Sequence, residues 1–124
     1  ITTEQLAQLQ RECRAAYVDP SLITYAVKLV AATREPAKVG QTDLAKYVAF
    51  GASVRAAQYL ILGAKARALT DGRYHVSFDD IKSLAHPVLR HRVLTNFRAE
   101  SEGIKSDTII DELLKVTPLP KSGM

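Results

Sequence analysis

Arg55 stands at the start of a helical segment, immediately after the turn Gly51-Ala52-Ser53. Amide hydrogens of a helix first turn, together with a guanidinium that donates two parallel bonds, form a clamp for phosphate-like anions when they point the same way. An arginine paired with a neighbouring carboxylate fits the same spacing, and the residues alone leave both readings open. Asp79 and Asp80 look at first like paired carboxylates for acid and base work. They fall in a helix first turn, however, where the macrodipole favours negative charge, so capping is the expectation. His75, His86 and His91 have no cysteine nearby and no HExxH spacing, which argues against zinc and for solvated or capping rings. A phosphate-cradling GxxxxGK[ST] loop is absent, as is an apolar strand ending in adjacent acidic residues that would hold magnesium. By itself the chain is not equipped to hydrolyse a nucleoside triphosphate.

Holding any of these groups in place takes a folded core. With 124 residues, 47% of them hydrophobic and 24% charged, the chain suffices for one ordinary domain. Such a domain buries roughly two thirds of its unfolded surface and needs no disulfide or metal staple. Cys13 has no partner within the chain, and beside Leu9 and Tyr17 it reads as a core residue in a reducing cytoplasm. No apolar run approaches the roughly 18 residues of a membrane span, and the first residues lack the layout of a signal peptide. A chain that starts at Ile1 rather than methionine reads as a piece of something longer. The net charge of +4, from 17 basic residues interspersed with 13 acidic ones, describes a solvated helical surface. It permits contact with phosphates without establishing it.

The spacing predicts a helix over residues 3 to 18, capped by Thr2 or Thr3, with Leu6, Leu9, Cys13 and Tyr17 on one inward face. Asp19-Pro20 restarts a second helix that runs to about Thr33 with Leu22, Ala26, Leu29 and Val30 facing inward. Pro36 and Gly40 mark a loop, and residues 42 to 50 read as a short helix or turn ending at Gly51. Ser53 is the expected cap of a long third helix from Val54 to about Thr70. Its predicted core stripe is Val54, Ala57, Ile61, Ala64 and Ala68, with Ile61 as the large anchor and Arg73 beyond the helix as a surface residue of little weight. Ser77 with Asp80 forms an acidic capping box for a fourth helix bearing Ile81, Leu84 and Ala85, which Pro87 interrupts or kinks. Ser106 and Asp107 open a last helix with Ile109, Ile110, Leu113 and Leu114, stopped by Pro118 and Pro120. The fold class is therefore all-α, a small bundle of about five helices, with one tiny strand pair expected near Val76 and Val93.

Whole segments carry a resemblance. Residues 25 to 34 read YAVKLVAATR, residues 51 to 56 read GASVRA, and residues 72 to 92 read GRYHVSFDDIKSLAHPVLRHR. They resemble the lid of MoxR-type AAA+ ATPases, whose second helix carries a Y-x-x-x-L-V-x-A-T-R run and whose third opens with GASPRA. In that family the fourth helix is introduced by GR-x-x-V-x-P-D-D-V and followed by a PVLRHR block. Order and spacing agree from about Leu6 to Leu114. Val54 and Phe78 stand where the family usually has proline, which softens two helix starts and leaves the charged groups in place.

The resemblance implies that residues 1–124 form a single helical lid domain of a longer ATPase whose phosphate-binding core lies outside them. It implies that Arg55 matches the sensor-2 arginine, reaching the γ-phosphate of ATP bound in the core, and that the surface around Tyr25 and Leu29, together with Ser53, faces the nucleotide. ATP and Mg2+ would serve the full-length protein and neither would bind the isolated lid. The implied partners are its own AAA+ core, neighbouring subunits of a hexameric ring, and a client protein remodelled or activated in chaperone fashion. A competing reading is a helical nucleic-acid-binding module in which Arg90, His91 and Arg92 contact phosphates. It has the basic charge behind it but no recognition-helix pattern.

Overall fold

The computed structural model describes residues 1–40 and 42–118. Helices α1 (Thr3–Ala15) and α2 (Pro20–Arg34) lead through a 3-10 turn at Pro36–Val39 to a short α3 (Thr42–Ala45) and strand β1 (Val48–Phe50). Then come α4 (Val54–Thr70), α5 (Phe78–Leu89), strand β2 (Leu94–Thr95), α6 (Phe97–Ser101) and α7 (Ser106–Val116). Local chemistry sets most of the helix starts. The Thr2 hydroxyl accepts from the Gln5 amide at 3.0 Å while the Gln5 side chain accepts from the Thr2 amide at 2.8 Å. Asp19 accepts from the Ser21 amide at 2.9 Å with Pro20 at the first helical position. Ser77 and Asp80 make the reciprocal box at α5, and Asn96 caps α6 by accepting from the Ala99 amide at 3.0 Å.

The core lies among α2, α4, α5 and α7. Leu22, Tyr25 and Leu29 of α2, Leu60 of α4, Ile81 and Leu89 of α5, and Ile109, Ile110 and Leu113 of α7 are all essentially inaccessible to water. Helix α4 is able to approach α5 closely because its contact face is small: Ala57, Ala64 and Ala68 are buried, and a Cβ on Gly63 would come within 2.9 Å of Leu84 Cδ1. Pro87 does not break α5, which continues two residues further to Leu89. It sits in the last turn, where losing one backbone donor matters least.

Several sequence expectations give way here. The predicted stripe on α4 holds in part: Ala57, Ala64 and Ala68 are buried, but Val54 is 62% exposed and Ile61 only half-buried, while Ala56 and Leu60 are inside. The inward face assigned to α1 is outward or half-covered, with Leu6 50%, Leu9 45% and Tyr17 59% exposed and Cys13 intermediate. Helix α1 packs along α4, where Lys65 donates to the Arg14 carbonyl at 2.9 Å, and it buries none of its own residues. Two short helices enlarge the bundle beyond five, namely α3 and the unforeseen α6. The tiny sheet exists with other partners. Strands β1 and β2 pair antiparallel, Val48 with Thr95 and Phe50 with Leu94. Val76 instead donates its amide to the Tyr17 carbonyl at 2.8 Å, beside an isolated Tyr17–His75 bridge that ties the end of α1 to the loop before α5. Pro120 lies outside the described residues.

Candidate functional site

The turn that precedes Arg55 is held from the end of α2. Buried Thr33 uses its hydroxyl twice, donating to the Val30 carbonyl at 2.6 Å and accepting the Ala52 amide hydrogen at 2.9 Å. The next residue, Arg34, donates from Nη1 to the Ala52 carbonyl at 2.7 Å. Both backbone groups of Ala52 are thus taken by consecutive side chains of one helix. Gly51 lets the two backbones touch: a Cβ there would lie 2.5 Å from Arg34 Cα and from the Thr33 carbonyl carbon. No side chain larger than hydrogen fits without moving the turn.

Helix α4 begins directly after this contact. Ser53 occupies the cap position with extended backbone, but its hydroxyl makes no capping bond, contrary to the cap expected of it. Arg55 lies in the first turn, exposed, and among the described residues its guanidinium has no carboxylate or hydrogen-bond partner. The salt-bridged alternative therefore has no geometry behind it. An exposed serine and an exposed guanidinium with no partner among the described residues stand together at one helix start, an arrangement suited to an anion brought by another body.

The other nucleotide contacts suggested by the sequence are not at this surface. Tyr25 is 1% and Leu29 0% exposed, so both side chains are taken up in this domain's own core. The Tyr25 ring meets Phe78 edge-on, centroids 5.0 Å apart. Its hydroxyl has no hydrogen-bond partner among the described residues, and burial pushes the phenol above its usual range. Phe78, standing where proline was expected, thus supplies a packing contact to the second helix.

The remaining charged groups are engaged in structure. Buried Asp80 caps α5 and accepts from Arg73 at 2.8 and 2.9 Å, with Arg67 as a further partner. Burial alone would raise this carboxyl, but the bonds from Arg73, the Ser77 amide and Arg67 outweigh it and hold Asp80 well below the ordinary carboxylate range. Capping is thus only half of what Asp80 does, and Arg73 is far from an idle surface residue. His86 is not simply solvated, since Nδ1 lies 2.9 Å from Asp107 and Nε2 2.7 Å from Asp111, linking α5 to α7. Arg90 donates to Asp107 at 2.7 Å, while Arg92 donates to the Val88 carbonyl and lies 4.8 Å over the Tyr59 ring. Two of the three groups proposed for a nucleic-acid patch are therefore committed within the domain. Among the described residues no three acidic, histidine or cysteine side chains gather as a metal site, and no helix is long and apolar enough to cross a membrane.

Sequence reasoning missed the Thr33–Ala52–Arg34 contact. Both halves lie inside segments that carry the family resemblance, yet spacing cannot reveal that two segments 18 residues apart meet.

A family model described as AAA lid domain matches residues 40–113. The chain is similar to Chaperone MoxR1 of Mycobacterium tuberculosis, 35% identical over 98% of this chain and 32% of that protein. It is also similar to Protein MoxR of Paracoccus denitrificans, 29% identical over 84% of this chain and 32% of that protein. A crystal structure described as a "putative ATPase" from Cytophaga hutchinsonii superposes with a TM-score of 0.87 and 40% identity, covering 90% of this chain and 34% of that one. The chain spans about a third of the length of the relatives it matches.

Proposed function

This chain belongs to the AAA lid domain family and is a lid of the MoxR type, and on that premise we propose that it senses nucleotide through Arg55 for a longer AAA+ ATPase. The observation that carries the reading is an exposed arginine without a partner among the described residues, in the first turn of a helix whose start is clamped to the core. In this reading ATP and Mg2+ are held by a separate AAA+ core, and Arg55 donates to the γ-phosphate when lid and core close. Ser53, exposed at the same helix start, serves as a secondary donor. Opening and closing of the lid then pass the energy of hydrolysis to neighbouring subunits of a cytoplasmic ring, and from there to a client protein in chaperone fashion. The names of the relatives support the chaperone and ATPase parts of this reading.

The chain alone supplies one charged contact. A hydrogen bond to a charged group contributes about 1.5 to 3 kcal/mol, against the roughly 8 kcal/mol of micromolar binding. Titration calorimetry of the isolated domain with Mg-ATP is therefore expected to give no micromolar binding, and a micromolar isotherm would contradict the division of labour described above.

The direct test is made in the full-length ATPase. Arg55→Ala slows steady-state hydrolysis by roughly ten- to a hundredfold, the size of one charge-assisted contact made at the reacting phosphate. The domain stays folded because the side chain is exposed and unbonded. Arg55→Lys restores part of the rate, since an ammonium keeps the charge but not the planar fork. Arg98→Ala, which removes only an exposed pair to Glu102 one turn away, is the control and leaves turnover unchanged. Parental turnover by Arg55→Ala at saturating nucleotide would remove the sensor assignment.

A further inference from the structure

We infer that Thr33 and Arg34 are positioning residues for Arg55, an inference that rests on the sensor reading above. A helix start is ordinarily fixed in part by a side-chain cap, but the Ser53 hydroxyl makes no such bond, so that local restraint on how the first turn of α4 is aimed is missing. Restraint comes instead from α2. Thr33 holds the Ala52 amide, Arg34 holds the Ala52 carbonyl, and Gly51 removes the Cβ that would keep the two backbones apart. Thr33 and Ala52 are 0% and 1% exposed, so water cannot replace the threonine hydroxyl if it is lost.

The consequence is directional. Arg55 lies three residues beyond Ala52 on a rigid first turn, with its own guanidinium unbonded. A small displacement of Ala52 therefore swings the arginine through space without breaking any contact that Arg55 itself makes. Positioning losses of this kind appear in turnover rather than in ground-state nucleotide affinity, because the phosphate contact has to be met in the transition state. The same coupling runs in reverse, so that the last turn of α2 registers whether α4 has been drawn toward a phosphate.

The test is a double-mutant cycle in the full-length ATPase, with circular dichroism and urea melts for every variant. Thr33→Val keeps the shape but leaves the Ala52 amide without an acceptor; it is expected to lower kcat roughly three- to tenfold, the worth of one hydrogen bond, with KM for ATP little changed. Thr33→Ser retains the hydroxyl and is expected to restore most of the rate. In the Arg55→Ala background, Thr33→Val is expected to cost nothing further, because the group it positions has gone. If Thr33→Val does not fold, Arg34→Ala, which deletes only the bond to the Ala52 carbonyl, goes through the same cycle. Slowed turnover in Arg55→Ala combined with full turnover in Thr33→Val, or with independent losses that multiply in the double variant, overturns the positioning role and leaves the sensor reading standing. Parental turnover in Arg55→Ala itself overturns both.

Discussion

Leu60→Ala lowers the unfolding free energy by about 2 to 5 kcal/mol, the range for deleting a fully buried leucine from a packed core, and Ile61→Ala lowers it by clearly less. Leu60 is wholly inaccessible and belongs to the central cluster with Leu29, Ile81 and Leu89. Ile61 is half-buried beside an open apolar groove that it lines with Val27, Val54 and Leu62. Truncating Leu60 leaves a void that neighbouring helices cannot collapse into, because the close α4–α5 approach at Gly63 and Leu84 already fixes their separation. Truncating Ile61 widens a groove that water already reaches. Urea melts of both variants at constant m-value decide the matter. An equal or reversed ranking would mean that α4 is turned differently about its axis.

Asp80→Ala lowers stability by about 2 to 4 kcal/mol, made up of a lost capping bond to the Ser77 amide and lost charge-assisted bonds from Arg73 and Arg67. The full penalty for an orphaned buried charge does not apply, because both arginines retain exposure, 28% and 42% of their side chains, and water takes over part of their hydrogen bonding. Arg73→Ala acts in the same direction and by more than Arg67→Ala, since Arg73 contacts both carboxylate oxygens of Asp80. The pH dependence has a definite sign. The folded Asp80 carboxyl is held below its ordinary value, near 3.9 in an unfolded chain, so its contribution is complete above about pH 4. It is lost as pH falls further, because the unfolded chain takes up the proton first. The stability gap between the parent domain and Asp80→Ala, measured by melts from pH 7 down to 3, therefore narrows at the acid end. A gap that stays constant would show that Asp80 acts only through packing.

Periodicity was informative wherever a helix is amphipathic. Helix α7 carries Ile109, Ile110 and Leu113 on one face, and all three are buried; the inward residues read for α2, Leu22, Ala26, Leu29 and Val30, are buried too. On α4 it found the buried alanines Ala57, Ala64 and Ala68 but not the large anchor, for a physical reason. Tyr59, Leu60, Ile61 and Leu62 form a continuous apolar run, which covers every side of a helix, so the pattern has no phase and packing decides that Leu60 turns inward. It failed on α1 differently. The predicted stripe of Leu6, Leu9, Cys13 and Tyr17 runs past the end of α1 at Ala15, and the helix packs chiefly along α4, so the stripe stays largely uncovered.

What the residues determined by themselves was local chemistry and family. The capping groups Thr2, Asp19 and Ser77 with Asp80 work within three residues, where chain connectivity guarantees the encounter. The segments around YAVKLVAATR, GASVRA and PVLRHR by themselves carry the resemblance to MoxR-type lids. Tertiary structure alone decided which charges remain available. It paired Asp80 with Arg73 and Arg67, seated His86 between Asp107 and Asp111, and buried Tyr25 and Leu29 in the core. Among the described residues it left Arg55 without a partner, at a helix start anchored on Thr33 and Arg34. Such outcomes depend on which helices lie side by side, a choice made by summed burial across the whole bundle, and no spacing within a single segment encodes it.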